Sequence, residues 1–386
     1  MPRFARRVTQ TAEKNFGMAG RAMGHSGPLI HLELGRPVDD TPAHIKQATI
    51  DALLAGEVHY SDLMGLPALR RALAEKLRSQ NGMTVDADQI IITNGLTQAS
   101  FAAFMALLDE GDEAILLEPY YPQHLGKIEM AGARAVIAPL DADAGFRIRR
   151  DLIEAKLSPR TRMIVLVNPC NPTGRVYGRE ELEVIAGIAI AHDLVVLTDE
   201  VYEYIVFEGA RHISIASLPG MAERTVTMHA FTKAYAMDGW RIGYLAAPAD
   251  FIPALMKITT TEVTHVNTFV QYGALAAVTG PTEPLSAMIE ADKGRRDLVV
   301  RRLNQMPGVT CAAPEGTIYA FPNIAGTGLT SQQAADRLMS ETGVAVEAGS
   351  FYGRTGEHHL RICFGAQEED VLTEAMDRLQ AFFNKL

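Results

Sequence analysis

Residues Gln89–Asp112, QIIITNGLTQASFAAFMALLDEGD, read as a strand, a tight turn, a helix and a glycine stop. The same order recurs along the chain. EAILLEPYYP (Glu113–Pro122) is a strand that ends in aromatics and prolines, and RMIVLVNPCNPTG (Arg162–Gly174) is an apolar strand cut off by an Asn/Pro/Gly turn. A helix is expected over Arg179–His192, with Leu182, Ile185, Ala186, Ala189 and Ile190 on its apolar stripe. LVVLTDE (Leu194–Glu200) and RTVTMHAF (Arg224–Phe231) read as further strands. Short unbroken apolar strands alternating with helices imply a mostly parallel sheet covered on both faces. Ligands bind such sheets at the carboxyl ends of the strands. Asn94-Gly95, Tyr121, Asn168 to Asn171, Asp199 and Lys233 fall there.

From about Pro281 the pattern changes to a long charged helix (IEADKGRRDLVVRRLNQM), short strands (GTIYAFPNI, LRICFG) and two more helices. The expected fold class is α/β: a three-layer sandwich with a mostly parallel central sheet in a large domain, plus a smaller α+β domain. We divide the chain into an N-terminal segment (1–43) joining the small domain, a large domain (44–283) and a C-terminal small domain (284–386).

Apolar residues make up 47% of the 386 positions and charged residues 21%, enough for a sizeable core and too apolar for disorder. The formal charge of −10 argues against nucleic acid and against an anionic membrane surface as partners. Cys170, Cys311 and Cys363 are odd in number and far apart, which supports neither a disulfide frame nor a zinc site; no metal is expected. The start, MPRFARRVTQ, is basic without an apolar core, and the expected location is the cytoplasm.

The chemistry concentrates in HAFTKAYAMDGWRIGY (His229–Tyr244). Lys233 follows a strand and sits among Ala, Phe, Thr, Tyr and Met. Desolvation lowers an amine's pKa, and a neutral amine attacks carbonyls to form imines. Arg241, in GWRIG, is either a helix-end or ion-pair arginine or a fork for an anion such as phosphate. Asp199 ends an apolar strand, where a carboxylate needs a partner; it either caps the following segment or faces a cationic ring nitrogen, with Tyr202 one turn later. TNGLTQAS (Thr93–Ser100) is a strand-to-helix turn whose amides suit an anion.

With these motifs in their order and spacing, NPCNPTG, TDEVY and FTKAYAMDGWRIGY above all, the chain resembles the class I/II aminotransferases, pyridoxal-phosphate enzymes of fold type I, from about Leu32 to Gly365. The resemblance implies that Lys233 forms the internal aldimine and shuttles the proton, and that Asp199 holds the pyridine nitrogen. It implies that Asn171 and Tyr202 donate to the ring's phenolic oxygen and that Tyr121 stacks on the ring. Gly95, Leu96, Thr97 and Arg241 match the phosphate site, completed by Tyr60 from the neighbouring subunit of a homodimer, and Thr232 with Thr97 is expected to compensate for a hydroxyl missing at Ala230. Arg361 matches the clamp on the substrate α-carboxylate, with Gly35 and Asn171 beside it. Two departures stand out. Ala230 occupies the position of a common phosphate-site serine, and Arg36 that of a common glutamate, where it is expected to favour a substrate with a second anionic group.

The implied function is ping-pong transfer of an amino group between an L-amino acid and a 2-oxo acid, with pyridoxal 5'-phosphate as cofactor. The same ring-holding set serves C–S lyases that work by β-elimination, so that reading stays open here. A DNA-binding regulator is disfavoured, since only about thirty residues precede the fold, and a nicotinamide dehydrogenase lacks its GxGxxG. AGTGLTS (Ala325–Ser331) is expected to cap a helix, and His358-His359 to be an exposed turn or strand edge more than a metal pair. Glu118, Tyr120 and His124 are further contributors without assigned roles.

Overall fold

A computed structural model describes residues 4–11 and 17–386. Seven strands build the main sheet: β1 (Ile90–Thr93), β2 (Glu113–Glu118), β3 (Arg134–Pro139), β4 (Thr161–Val167), β5 (Val195–Asp199), β6 (Thr225–Ala230) and β7 (Gly243–Ala246). Their spatial order is β1-β7-β6-β5-β4-β2-β3. Every residue of β1, β2 and β7 is buried, as continuous apolar strands require when helices cover both faces. β7 alone runs antiparallel to its neighbours. The other six therefore end on one edge of the sheet. Because β7 runs the other way, its amino end reaches that same edge, bringing Arg241 with it. Carboxyl ends and one amino end thus converge, which is the condition for a shared pocket.

The helices lie where the patterns place them. Residues Leu96–Leu107 form α1, Pro122–Met130 form α2 with proline in its first turn, and Arg179–Ala191 form α3. One expectation for α3 fails. Ile190 is 45% exposed, whereas Ile188 is fully buried. At about 100° per residue the buried stripe centres near Ile185 and Ala189, which turns Ile190 roughly 120° away from it.

Beyond the sheet, the long helix α4 (Glu283–Leu303) leads to a three-stranded antiparallel sheet of β8 (Tyr319–Ala320), β10 (Glu347–Ala348) and β11 (Leu360–Cys363), with β11 in the middle. A further strand, β9 (Val344–Ala345), pairs in parallel with Ile30–His31 near the amino terminus. Helices α5 (Ser331–Thr342) and α6 (Glu369–Phe383) pack on these, and Leu32, Leu298, Leu338, Ile362 and Leu379 share one core. The AGTGLTS stretch does cap a helix: Thr330 Oγ1 accepts from the Gln333 amide and opens α5. The histidine pair splits. His358 is exposed with a positive φ of 63°, but His359 is buried, stacked 4.8 Å from Phe321, which corrects its expected place on an exposed edge.

A buried polar cluster ties the strand ends to the helix Pro67–Asn81. Lys76 pairs with Glu203, and both side chains are under 10% exposed. Glu203 also accepts from Asn81 and contacts His229 Nδ1 at 3.0 Å. Glu203 lies four residues after Asp199 and His229 four before Lys233, so the cluster fixes both. Replacing Lys76 by methionine strands a buried carboxylate and is expected to cost about 3–5 kcal/mol in urea unfolding. A loss below about 1 kcal/mol would show that His229 and Asn81 suffice.

Candidate active site

At the convergent sheet edge lies a cavity of about 410 Å³. Eleven of the residues singled out from the sequence line it: Gly35, Leu96, Thr97, Tyr121, Asn171, Asp199, Tyr202, Thr232, Lys233, Arg241 and Arg361. Others lie outside its lining. Tyr60 is 87% exposed, its ring edge-on to His265 at 4.7 Å, so it serves no pocket within its own chain. Gly95 stands one residue before the wall and Arg36 is exposed on the surface. The expectation that Arg36 receives a second anionic group of the substrate is corrected on this geometry: its side chain does not reach the cavity of its own chain. Ala230 is half-buried, paired with Gly243 in the β6–β7 ladder, and also outside the lining.

The turn from β1 to α1 requires Gly95. Its φ is +76°, and a Cβ there would stand 2.6 Å from Arg241 Nη2. Arg241 itself has a φ of +56° and is held by the carbonyl of Asp238, which accepts from Nη1 at 2.8 Å. Backbone at a helix start and a fixed guanidinium thus meet in one recess, a combination that suits a phosphate.

Lys233, half-buried, donates from Nζ to the carbonyl of Gly35. Burial pushes its amine pKa down, and Arg361 adds to the fall. Asp199 is buried at the end of β5. Desolvation raises its pKa to about 6, against the opposing pull of the Val201 amide, Lys127 and Lys233. Its Oδ1 accepts from Val201 N at 3.2 Å across the turn that follows β5, where no helix begins, and the residue also stands in the cavity wall.

Oδ2 of Asp199 lies 3.9 Å from Nε2 of His124. Burial, with Lys127, drives the His124 pKa down to about 3, so this ring is neutral and the contact is not an ion pair. Neither of its buried ring nitrogens has a hydrogen-bond partner. His124, unassigned in the sequence reading, and Lys127, which that reading missed, share a face of α2 at i, i+3 spacing. That spacing, one turn beyond Tyr121, is the signal that could have found Lys127. The Lys127 ammonium reaches Ser100 Oγ at 2.7 Å, and burial lowers its pKa to about 8. Glu118 acts elsewhere, where its carboxylate accepts from the amides of Arg354 and Thr355.

Arg361 projects from β11 between two rings that sequence reasoning did not find, Tyr319 at 4.4 Å and Tyr352 at 5.1 Å from its guanidinium carbon. It donates to Asn171 Oδ1 at 3.3 Å and to the carbonyl of Glu33, and its buried Nε has no partner. Tyr202 donates to the Tyr319 hydroxyl at 2.9 Å. A Cβ on Gly35 would come within 2.0 Å of that same hydroxyl, so only glycine fits.

Comparison with known proteins identifies the family. Residues 28–379 match the family model described as aminotransferase class I and II. The chain is 39% identical over 355 residues to an aspartate aminotransferase of Pyrococcus abyssi, covering 91% of each chain. It is 40% identical over 334 residues to an arginine–pyruvate transaminase of Pseudomonas aeruginosa, covering 86% of this chain and 85% of that protein. Among solved structures, the aspartate aminotransferase of Rhizobium meliloti superposes with a TM-score of 0.95 at 33% identity, covering 100% of both chains.

The elevated Asp199 pKa has a thermodynamic sign. A carboxyl whose folded pKa exceeds its unfolded value of 3.8 binds its proton more tightly in the native state. Stability is therefore lost as pH rises from about 4 through about 6. Asp199→Asn removes that loss. In ligand-free protein the variant is expected to gain about 3 kcal/mol over the parent above pH 7 and nothing below pH 3.5, read from unfolding midpoints across pH. An equal offset at both pH values would contradict the assigned pKa.

Proposed function

The chain belongs to the class I and II aminotransferases, pyridoxal-phosphate-dependent enzymes acting on amino acids and 2-oxo acids, and from that premise we propose how its own residues carry the reaction. The observation that carries the reading is the single cavity lined by an amine of lowered pKa, a buried carboxylate and two arginines: Lys233, Asp199, Arg241 and Arg361. β-Elimination on the same scaffold is not favoured.

The residues fit the cofactor. The Gly95 recess beside Arg241, with Leu96, Thr97 and Thr232, suits a phosphate, completed by Tyr60 of the partner subunit. Asp199 would hold the ring nitrogen, and neutral His124 beside it would add no competing positive charge. Asn171 and Tyr202 would hold the ring's phenolic oxygen, and Tyr121 would pack against the ring. When bound, pyridoxal phosphate supplies an aldehyde that joins amines and a ring that accepts the electron pair left at the substrate's α-carbon.

Arg361, bracketed by Tyr319 and Tyr352 and oriented by Asn171, binds the substrate α-carboxylate beside Gly35. That orients the α-hydrogen toward Lys233, whose Nζ removes the proton and later returns it. A lowered amine pKa is what a base working near neutrality needs. The rings around Arg361 shield the ion pair from water and strengthen it.

The division at 43/44 and 283/284 belongs to the same reading: Ile30–His31 pairs with β9 and Leu32 joins the small-domain core. So does a homodimer. Ile50, Leu53, Leu54, Val58, Tyr60 and Leu63 are all exposed, a run of large apolar side chains that a partner subunit would cover. A cytoplasmic location is consistent with three buried free cysteines and, among the described residues, no helix long and apolar enough to cross a membrane.

Lys233→Ala is expected to lose the visible absorbance of the loaded protein and to lower turnover about 10⁴-fold, measured by single-turnover spectroscopy with an amino acid. Retained turnover would refute the assignment. Leu54→Asp, on a side chain 82% exposed, is expected to convert a dimer to a monomer in sedimentation equilibrium and to weaken cofactor binding as Tyr60 is withdrawn. A parent protein that already sediments as a monomer would rule out shared sites.

A further inference from the structure

An amino acid whose α-carboxylate rests on Arg361 extends its side chain into whatever else lines the cavity. Besides Asp199 and Asp238, two of those residues are acidic. Glu347 is the Cα partner of Arg361 across the β10–β11 ladder, so the two side chains rise on one face of the sheet. Glu33 lies on the segment whose carbonyl accepts from the Arg361 guanidinium. Both line the cavity, and they are 3% and 2% exposed.

Arg361 pulls on Glu347 from across the ladder, but burial outweighs it and pushes the Glu347 pKa up to about 7, while Glu33 has only a histidine beside it. The Glu347 oxygens accept from the amides of Met18, at 2.9 and 3.1 Å, and Ala348, at 3.0 Å. Glu33 Oε1 lies 2.8 Å from His31 Nδ1, and its buried Oε2 has no partner. Among the described residues, no lysine or arginine stands within ion-pair distance of either. Buried carboxylates without a cation are costly, and a cationic ligand offsets that cost. The cavity's own cations are Lys127, Lys233, Arg241 and Arg361. Lys127 lies against Ser100, and the other three serve the reaction itself. Among the described residues of this chain none is left for a second substrate carboxylate, and Arg36 stands outside.

We infer that Glu33 and Glu347 form a subsite for the cationic side chain of a basic amino acid, one ending in a guanidinium or an ammonium group. This rests on the aminotransferase reading above. A dicarboxylic amino acid would set its second carboxylate against two others, and a neutral one would leave the Glu33 oxygen unmatched. Glu347 also steadies the segment that begins at Gly17, and the test separates that structural role from recognition.

The test uses full-length protein loaded with pyridoxal phosphate. Single-turnover kcat/KM is measured for L-arginine, L-lysine, L-norleucine and L-glutamate, and dissociation constants for 5-guanidinopentanoate and hexanoate, which lack the α-amine. Arginine or lysine is expected to exceed norleucine, and the guanidino acid hexanoate, by at least about tenfold. Glu347→Gln keeps an acceptor for the Met18 and Ala348 amides while removing the charge. It and Glu33→Gln are each expected to lower those ratios about tenfold and to raise glutamate relative to norleucine. Ratios near one in the parent protein overturn the subsite. So do ratios unchanged in both variants because all substrates weaken together, which would leave the carboxylates as supports of the N-terminal segment. If no amino acid is converted at all, the aminotransferase reading fails instead, and the two binding constants still decide the subsite.

Discussion

The hydrogen bond from Lys233 Nζ to the carbonyl of Gly35 joins the three parts of the molecule that make the site. Lys233 belongs to the end of β6, Gly35 to the chain running past the small-domain core, and Arg361 to the strand that donates to Glu33 two residues earlier. Gly35 can be there only because it has no side chain; the Tyr319 hydroxyl fills the place of its Cβ. One amine is thus held against a peptide carbonyl where burial lowers its affinity for a proton. The geometry that positions it is the same geometry that seats the carboxylate-binding arginine beside it.

Much of this arrangement was legible in the sequence because strand ends announce themselves. Apolar runs followed by Asn, Pro or Gly located β1, β2 and β4, and charged residues directly after apolar strands pointed to Asp199 and Lys233. The less legible residues have their orientation set by packing. Tyr319 and Glu347 sit on strands of two residues, too short for alternation to reveal a face. Lys127 lies on a nine-residue helix where a lysine would ordinarily face water, and only the fold shows that this face meets Ser100 and Asp199. Ile190 and His359 went astray for the complementary reason: a residue's side of a helix or turn depends on where the core lies. Arg36 follows Gly35 in sequence, yet one further step along an extended chain is enough to turn a side chain from the cavity to the surface.

The charges around the cavity differ in how they are supported. Glu203 is surrounded by Lys76, Asn81 and His229, and its role is to anchor the strand ends from behind. Asp199 has one amide and a neutral imidazole, and its pKa rises accordingly. Glu33 retains an oxygen with no partner. These three run from fully partnered to unmatched, although Glu200, outside the cavity lining, also keeps a buried oxygen without a partner.

The left-handed backbone at Arg241 has a consequence of its own. For a residue with a side chain, that conformation costs on the order of 1–3 kcal/mol, which glycine would avoid. At this one position, relaxing the chain and capturing an anion are mutually exclusive aims. A protein optimised by repeated rounds of thermal selection alone would tend to shed the guanidinium here, emerging more robust and less able to keep its cofactor.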